Sequence, residues 1–217
     1  MRLFKLALPL AVCNWAALFV AAYILDDPVA VHIGFDGTVS YGSKWMLMLL
    51  GLLPVLLAVG MLIYRQVTKN RESSRKNRRL ENILIPLIVL FLCVVCWLPV
   101  AIAYNWPINR SIAILIGIPG SLLFLIMGNY TGVIKPNRNL GLRLPWTLKS
   151  DEVWVKTHRM MAKWCVVGGV LFLIGAVLTA INGHIGYLAA GFVAAMFLGL
   201  VIPSGYSCWL YHRLQKK

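Results

Sequence analysis

Apolar residues along this chain fall into blocks of about twenty, separated by short polar stretches. A bilayer core of about 30 Å needs roughly 20 apolar residues of helix, so each block predicts a transmembrane span. The blocks are Leu3–Leu25, Trp45–Tyr64, Asn82–Tyr104, Ser111 to about Tyr130, about Trp164 to Ile181, and Ile185 to about Tyr211. The fold class expected is therefore an all-α membrane protein of six transmembrane helices. Arg2 and Lys5 ahead of the first block give it the look of a signal peptide. The block is long enough to span a bilayer and no A-x-A-type site follows it, so it reads as a retained helix.

The stretches between blocks differ in kind. Asp26–Lys44 is a short polar loop that carries a β-prone run, Val29–Phe35, followed by the turn signal Asp36-Gly37, which predicts a small β-hairpin. Arg65–Glu81 is basic, shows no apolar periodicity and reads as a loop. Gly128–Lys163 is polar, basic and rich in Trp and Pro, and membrane crossing does not account for it. These stretches divide the chain into 1–64, a basic loop 65–81, and 82–217, with 128–163 as an internal loop.

Composition supports the span reading. Of 217 residues, 60% are hydrophobic and 13% charged, against roughly 25% charged in soluble domains. The net charge of +14 would suit nucleic acid, but its placement points to topology instead. Every Lys and Arg except Lys44 and Arg110 lies in the termini, the 65–81 run or the 128–163 stretch. The positive-inside rule then puts both termini and both basic loops in the cytoplasm of a multi-pass cell-membrane protein, with Asp26–Lys44 outside. No nucleic-acid recognition module fits the loops, so direct nucleic-acid binding is not expected.

No Asp, Glu, Lys, Arg or His falls in the middle of any block, which argues against ion-coupled transport and intramembrane catalysis. Cys93-Val-Val-Cys96 has redox-pair spacing but sits in an apolar block, where cysteines act as small buried side chains. The four histidines include no pair at metal-ligand spacing, and no metal or cofactor is expected. Prolines inside spans (Pro54, Pro86, Pro99, Pro119, Pro203) predict kinks whose freed carbonyls are met by neighbours. Small residues (Gly128 and Gly132; Gly168, Gly169 and Gly175; Gly191, Ala195 and Gly199) predict close helix contacts.

Within the internal loop, Ser150-Asp-Glu reads as a helix N-cap with acids over the positive helix end, and Glu152–Lys156 as an i, i+4 pair. Glu152, Lys156, Arg159 and Lys163 share one face of that helix. Val153, Trp154, Thr157, Met160, Met161 and Trp164 share the other. Such a helix is expected to lie in the membrane interface and then turn into the fifth span. Upstream, the Pro- and Asn-bearing segment is irregular and offers Arg138 and Arg143 to a phosphate or carboxylate.

The run G-N-Y-T-G…K-P-N-R-N-L-G-L-R-L-P-W-T-L…V-W-x-K-T-H-R, Gly128 to Arg159, resembles the signature of the SdpI family of bacterial immunity proteins. Asp27-Pro28…His32…Gly37…Gly42-Ser43-Lys44 resembles the small DUF1648 segment that often precedes it, with Ala30 where that segment often has a second Pro. The resemblance implies a non-enzymatic membrane protein that guards a cell against a secreted, membrane-active toxic peptide. It also implies signalling, by holding a cytoplasmic transcriptional repressor at the membrane. On that reading Asn129, Lys135, Asn137, Arg138, Arg143, Trp146, Trp154, His158 and Arg159 are candidates for holding a partner or lipid head groups. His32, Asp36 and Lys44 are candidates on the toxin side. A lipid-active enzyme or small transporter using the basic loop is the alternative, and no catalytic residue is assigned.

Overall fold

The computed structural model describes residues 2–33, 38–68, 72–137 and 140–216. Asp36, Gly37, Lys69, Arg71, Arg138 and Asn139 therefore lie outside the described residues. The chain runs α1 (Arg2–Ile24), β1 (Val29–Ile33), β2 (Val39–Gly42), α2 (Met46–Val67), α3 (Glu72–Val95) and α4 (Leu98–Ala103). It continues with α5 (Ile108–Ile112), α6 (Ile118–Thr131), α7 (Pro145–Lys149), α8 (Asp151–Asn182), α9 (Ile185–Met196) and α10 (Ile202–Gln215). A π-helical turn, Ala113–Gly117, joins α5 to α6, and another, Phe197–Val201, joins α9 to α10. Among the described residues, six helical segments are long and apolar enough to cross a membrane, so this is a multi-pass membrane protein.

Spans one to three pack on one another, and spans four and six pack on α8. The first group buries Leu18, Ala22, Leu47, Cys96 and Val100 together, and Ala7, Ala11, Ala58, Val89 and Cys93 in a second cluster. The two C-x-x-C cysteines thus serve different clusters, and both are free. In the second group the small residues let α8 approach its neighbours closely. A Cβ on Gly168 would lie 2.8 Å from Ala195 Cα, and one on Gly128 2.9 Å from Val166 N.

Each π-helical turn sits just ahead of a proline, Pro119 or Pro203. A proline ring lacks the N–H its turn needs and collides with the carbonyl four residues back, and the wider turn relieves the collision. Two of the freed carbonyls find thiols. Pro54 deprives Leu50 O of its amide, and Cys96 Sγ donates to it at 3.4 Å. Pro203 does the same to Gly199 O, and Cys165 Sγ donates at 3.8 Å. Asn14 Oδ1 accepts from Trp97 Nε1 at 2.9 Å, and Thr179 Oγ1 bridges His184 O and Leu188 N. Asn14 and Thr179 thus join helices, while Ser121, Thr131 and Ser204 bond carbonyls of their own helical segments.

The hairpin forms as an antiparallel pair with a register shift between Ala30 and His32. Its buried Val29 and Ala30 face the end of span three, where β1 packs on α4. Lys44 Nζ donates to Leu25 O at 2.7 Å, and Arg110 Nη2 to Ile181 O at 3.1 Å. The two cations at this end of the bundle thus sit on C-terminal carbonyls of α1 and α8, where the helix dipole favours positive charge.

Two expectations are corrected. The 65–81 run is mostly helical: α2 continues to Val67, and α3 begins at Glu72, ten residues before Asn82. Arg, Lys and Glu are good helix formers, so the helices continue past their apolar portions without an amphipathic pattern. The 151–163 helix also does not lie flat and turn. α8 is one uninterrupted helix of 32 residues, about 48 Å long, so roughly 18 Å of it projects beyond a 30 Å core. No Pro or Gly interrupts it before Gly168, and Val153, Trp154, Thr157, His158 and Met161 are buried in protein.

Candidate functional site

The projecting end of α8 organises the signature loop. Trp154 and His158, one turn apart, stack at 4.2 Å between centroids. Both are buried, at 1% and 0% exposure. Trp154 Nε1 donates to Ile134 O at 2.9 Å. Leu80, Ile134 and Trp154, with Tyr130, Leu140 and Val155 against them, make a small core separate from the membrane clusters.

Both nitrogens of His158 are engaged. Nε2 accepts from Leu142 N at 3.0 Å, and Nδ1 faces Trp154 O at 2.9 Å. A carbonyl only accepts, so Nδ1 carries the proton and the ring is neutral. Gly141 crosses directly over this ring with φ +103°. A Cβ there would run into His158 Nε2, and that backbone region disfavours other residues in any case.

The rest of the loop is tied by side-chain amides and hydroxyls. Asn137 Nδ2 donates to Lys135 O (2.8 Å) and Leu140 O (3.0 Å), and its Oδ1 accepts from Leu140 N (2.6 Å). Thr147 Oγ1 accepts from Leu144 N at 2.9 Å and donates to Leu142 O at 2.8 Å. Trp146 Nε1 reaches α10 and donates to Ser207 Oγ at 2.5 Å. Asn77, from the start of α3, pairs with the Lys135 backbone in both directions, each bond 3.0 Å. Ser150 caps α8 through Val153 N at 3.4 Å, and Lys156 meets Glu152 at 2.6 Å. A cleft of about 300 Å³, lined by Pro136, Asn137, Thr147, Leu148, Asp151 and Trp154, opens beside this network.

The candidate residues therefore separate by place. Asn137, Trp154 and His158 are interior and bonded within the chain, and Trp146 is half-buried against α10. Asn129, Lys135, Arg143 and Arg159 are exposed, and Lys149, Lys156 and Lys163 join them in a cationic surface. Arg138 lies outside the described residues. At the opposite end of the bundle, His32 is exposed on β1 and Lys44 is half-buried against α1, while Asp36 lies outside the described residues. The sequence reading missed Asn77 and Ser207. Asn77 sits among arginines in a run without periodicity, and Ser207 in a span, so neither carried a signal. Among the described residues, no three His, Cys, Asp or Glu side chains gather as a metal site would require.

Residues 133–207, from just after α6 to the first half of α10, match the SdpI/YfhL protein family. Immunity protein SdpI of Bacillus subtilis (strain 168) is 31% identical over 168 residues, covering 75% of this chain and 74% of that protein. No solved structure matches. The matched region holds the Trp154–His158 stack, the Gly141 crossing and the Trp146–Ser207 tie, and with that identity over three quarters of both chains, the protein belongs to the SdpI/YfhL protein family.

Proposed function

We propose that this protein is an integral membrane immunity protein that protects its cell against a secreted, membrane-active toxic peptide. Its similarity to an immunity protein along most of both chains carries the reading. Both termini and the signature loop lie in the cytoplasm, since the loop, termini and 65–81 run hold nearly all the cations. The hairpin, an expected DUF1648-like unit, then meets the toxin from outside with His32, Asp36 and Lys44. On the inner side Lys135, Arg138, Arg143 and Arg159 present a basic face to an acidic surface of a transcriptional repressor, and Asn129 adds an amide. Trp146, Trp154, Asn137 and His158 hold that face in shape. The spans with proline-linked π turns couple the two ends, and protection involves no catalysis.

The test is survival. Expression in a sensitive host should raise the number of cells surviving the cognate peptide by at least tenfold, and replacing 26–44 with a Gly-Ser linker should abolish the gain. Unchanged killing across a panel of membrane-active peptides would overturn the reading. Labelling of a cysteine introduced at Ser40 by a membrane-impermeant reagent on intact cells checks the orientation.

A further inference from the structure

Between α3 and α6, at the signature-loop end, lies an open groove of about 430 Å³ lined by Ile83, Leu87, Leu125, Ile126, Asn129 and Tyr130. Its floor is aliphatic and its polar groups gather at one end. Asn129 lies two residues before the end of α6, so about 3 Å from the helix terminus. The span Ile108–Thr131 has 24 residues, about 36 Å, so centring it on a core of about 30 Å puts Asn129 near the hydrocarbon edge. Its amide is exposed and finds no partner among the described residues. A bare amide at an apolar boundary is unfavourable unless something there bonds it.

Lys135 marks the mouth. Asn77 clamps its backbone to α3 while the preceding turn leaves α6, so the residue bridges the two helices that wall the groove. Its side chain is exposed. A ligand for this groove has an anionic oxygen group for an ammonium, an acceptor oxygen slightly deeper for an amide, and an alkyl chain below. The lined part covers five residues of α3 and six of α6, roughly 6–8 Å. That length fits a glycerol ester and the first methylenes, and it is short for a peptide helix. The exposed cations nearest the mouth, Lys135 and Arg159, the latter packed against Gly132 in the turn that leaves α6, favour an anionic head group over a zwitterionic one.

We infer that the α3–α6 groove binds an anionic glycerophospholipid. The phosphate lies at Lys135, an ester carbonyl accepts from Asn129 Nδ2, and the upper acyl chain runs along Ile83, Leu87, Leu125 and Ile126. This site does not depend on the immunity reading.

The test uses the full chain reconstituted in vesicles of equal phosphatidylglycerol and phosphatidylcholine, with retained lipid counted by native mass spectrometry after detergent extraction. Phosphatidylglycerol should be retained at least fivefold over phosphatidylcholine. Lys135→Gln, Asn129→Leu and Ile126→Trp, the last filling the groove, should each lower retention at least threefold. Lys156→Gln removes the same charge where it is already paired with Glu152 and should leave retention unchanged. Equal retention of the two lipids, equal losses for Lys135→Gln and Lys156→Gln, or a second copy of the chain protecting Asn129 in place of lipid would each overturn the inference. If Asn129→Leu fails to fold, the other two variants still decide.

Discussion

Replacing His158 with Ala tests whether the Trp154–His158 pair is what shapes the signature loop. The change removes the acceptor of the Leu142 amide and the Nδ1 bond to Trp154 O, each contributing about 0.5–1.5 kcal/mol. It also removes a ring stacked at 4.2 Å on Trp154, a contribution of about 0.5–1.5 kcal/mol. Taking about 1 kcal/mol for each of the three contacts, and leaving out the cavity cost, the loop should lose about 3 kcal/mol. At 1.4 kcal/mol per tenfold, its opening equilibrium should rise about 100-fold or more. Hydrogen–deuterium exchange on the full chain in detergent reads this directly. Amides of 133–149 should exchange about two orders of magnitude faster, while those of α8 beyond Gly168 should not change, since they pack in a different cluster. Exchange of 133–149 within threefold of the parent chain would refute the argument and place the loop's stability in the Asn77, Asn137 and Thr147 ties.

Two further outcomes follow from the spans. Cys165→Ala should cost about 1 kcal/mol because Gly199 O loses its donor, but almost nothing in a Pro203→Ala background, where the restored amide bonds that carbonyl. A double-mutant cycle by denaturant titration in micelles should show coupling of about 1 kcal/mol, and additivity within about 0.3 kcal/mol would reject the thiol cap. Gly168→Leu should abolish monodisperse folded protein in size-exclusion chromatography, since Ala195 backbone blocks the new side chain. Gly205→Leu, which meets nothing within 4 Å, should be tolerated.

The resemblance at Gly128–Arg159 was visible in the residues, but their division of labour was not. Asn137, Trp154 and His158 look like the polar and aromatic groups of a binding surface, and in the fold their polar atoms face the loop's own backbone. Their partners, at Ile134, Lys135 and Leu142, have no side-chain signature because they act through main-chain atoms. The amphipathic pattern of 151–163 was legible, but what covered its apolar face was not. A lipid surface and a folded loop are equally apolar to a sequence, and here Leu80, Ile134 and Leu140 lie against Trp154.

The sequence by itself determined the number of spans, the hairpin, the N-cap at Ser150 and the close contacts at Gly128, Gly168 and Gly191. Each follows from a local rule: bilayer thickness, strand and turn propensity, an orphan amide, or the absence of a Cβ. Tertiary structure alone decided that α8 runs as one unbroken helix from Asp151, that Cys96 and Cys165 serve carbonyls freed by prolines on other helices, and that Asn77 fixes Lys135 across 58 positions. The reason is common to all three. A freed carbonyl or a bare amide must be met, but the requirement says nothing about which residue meets it until the helices are packed.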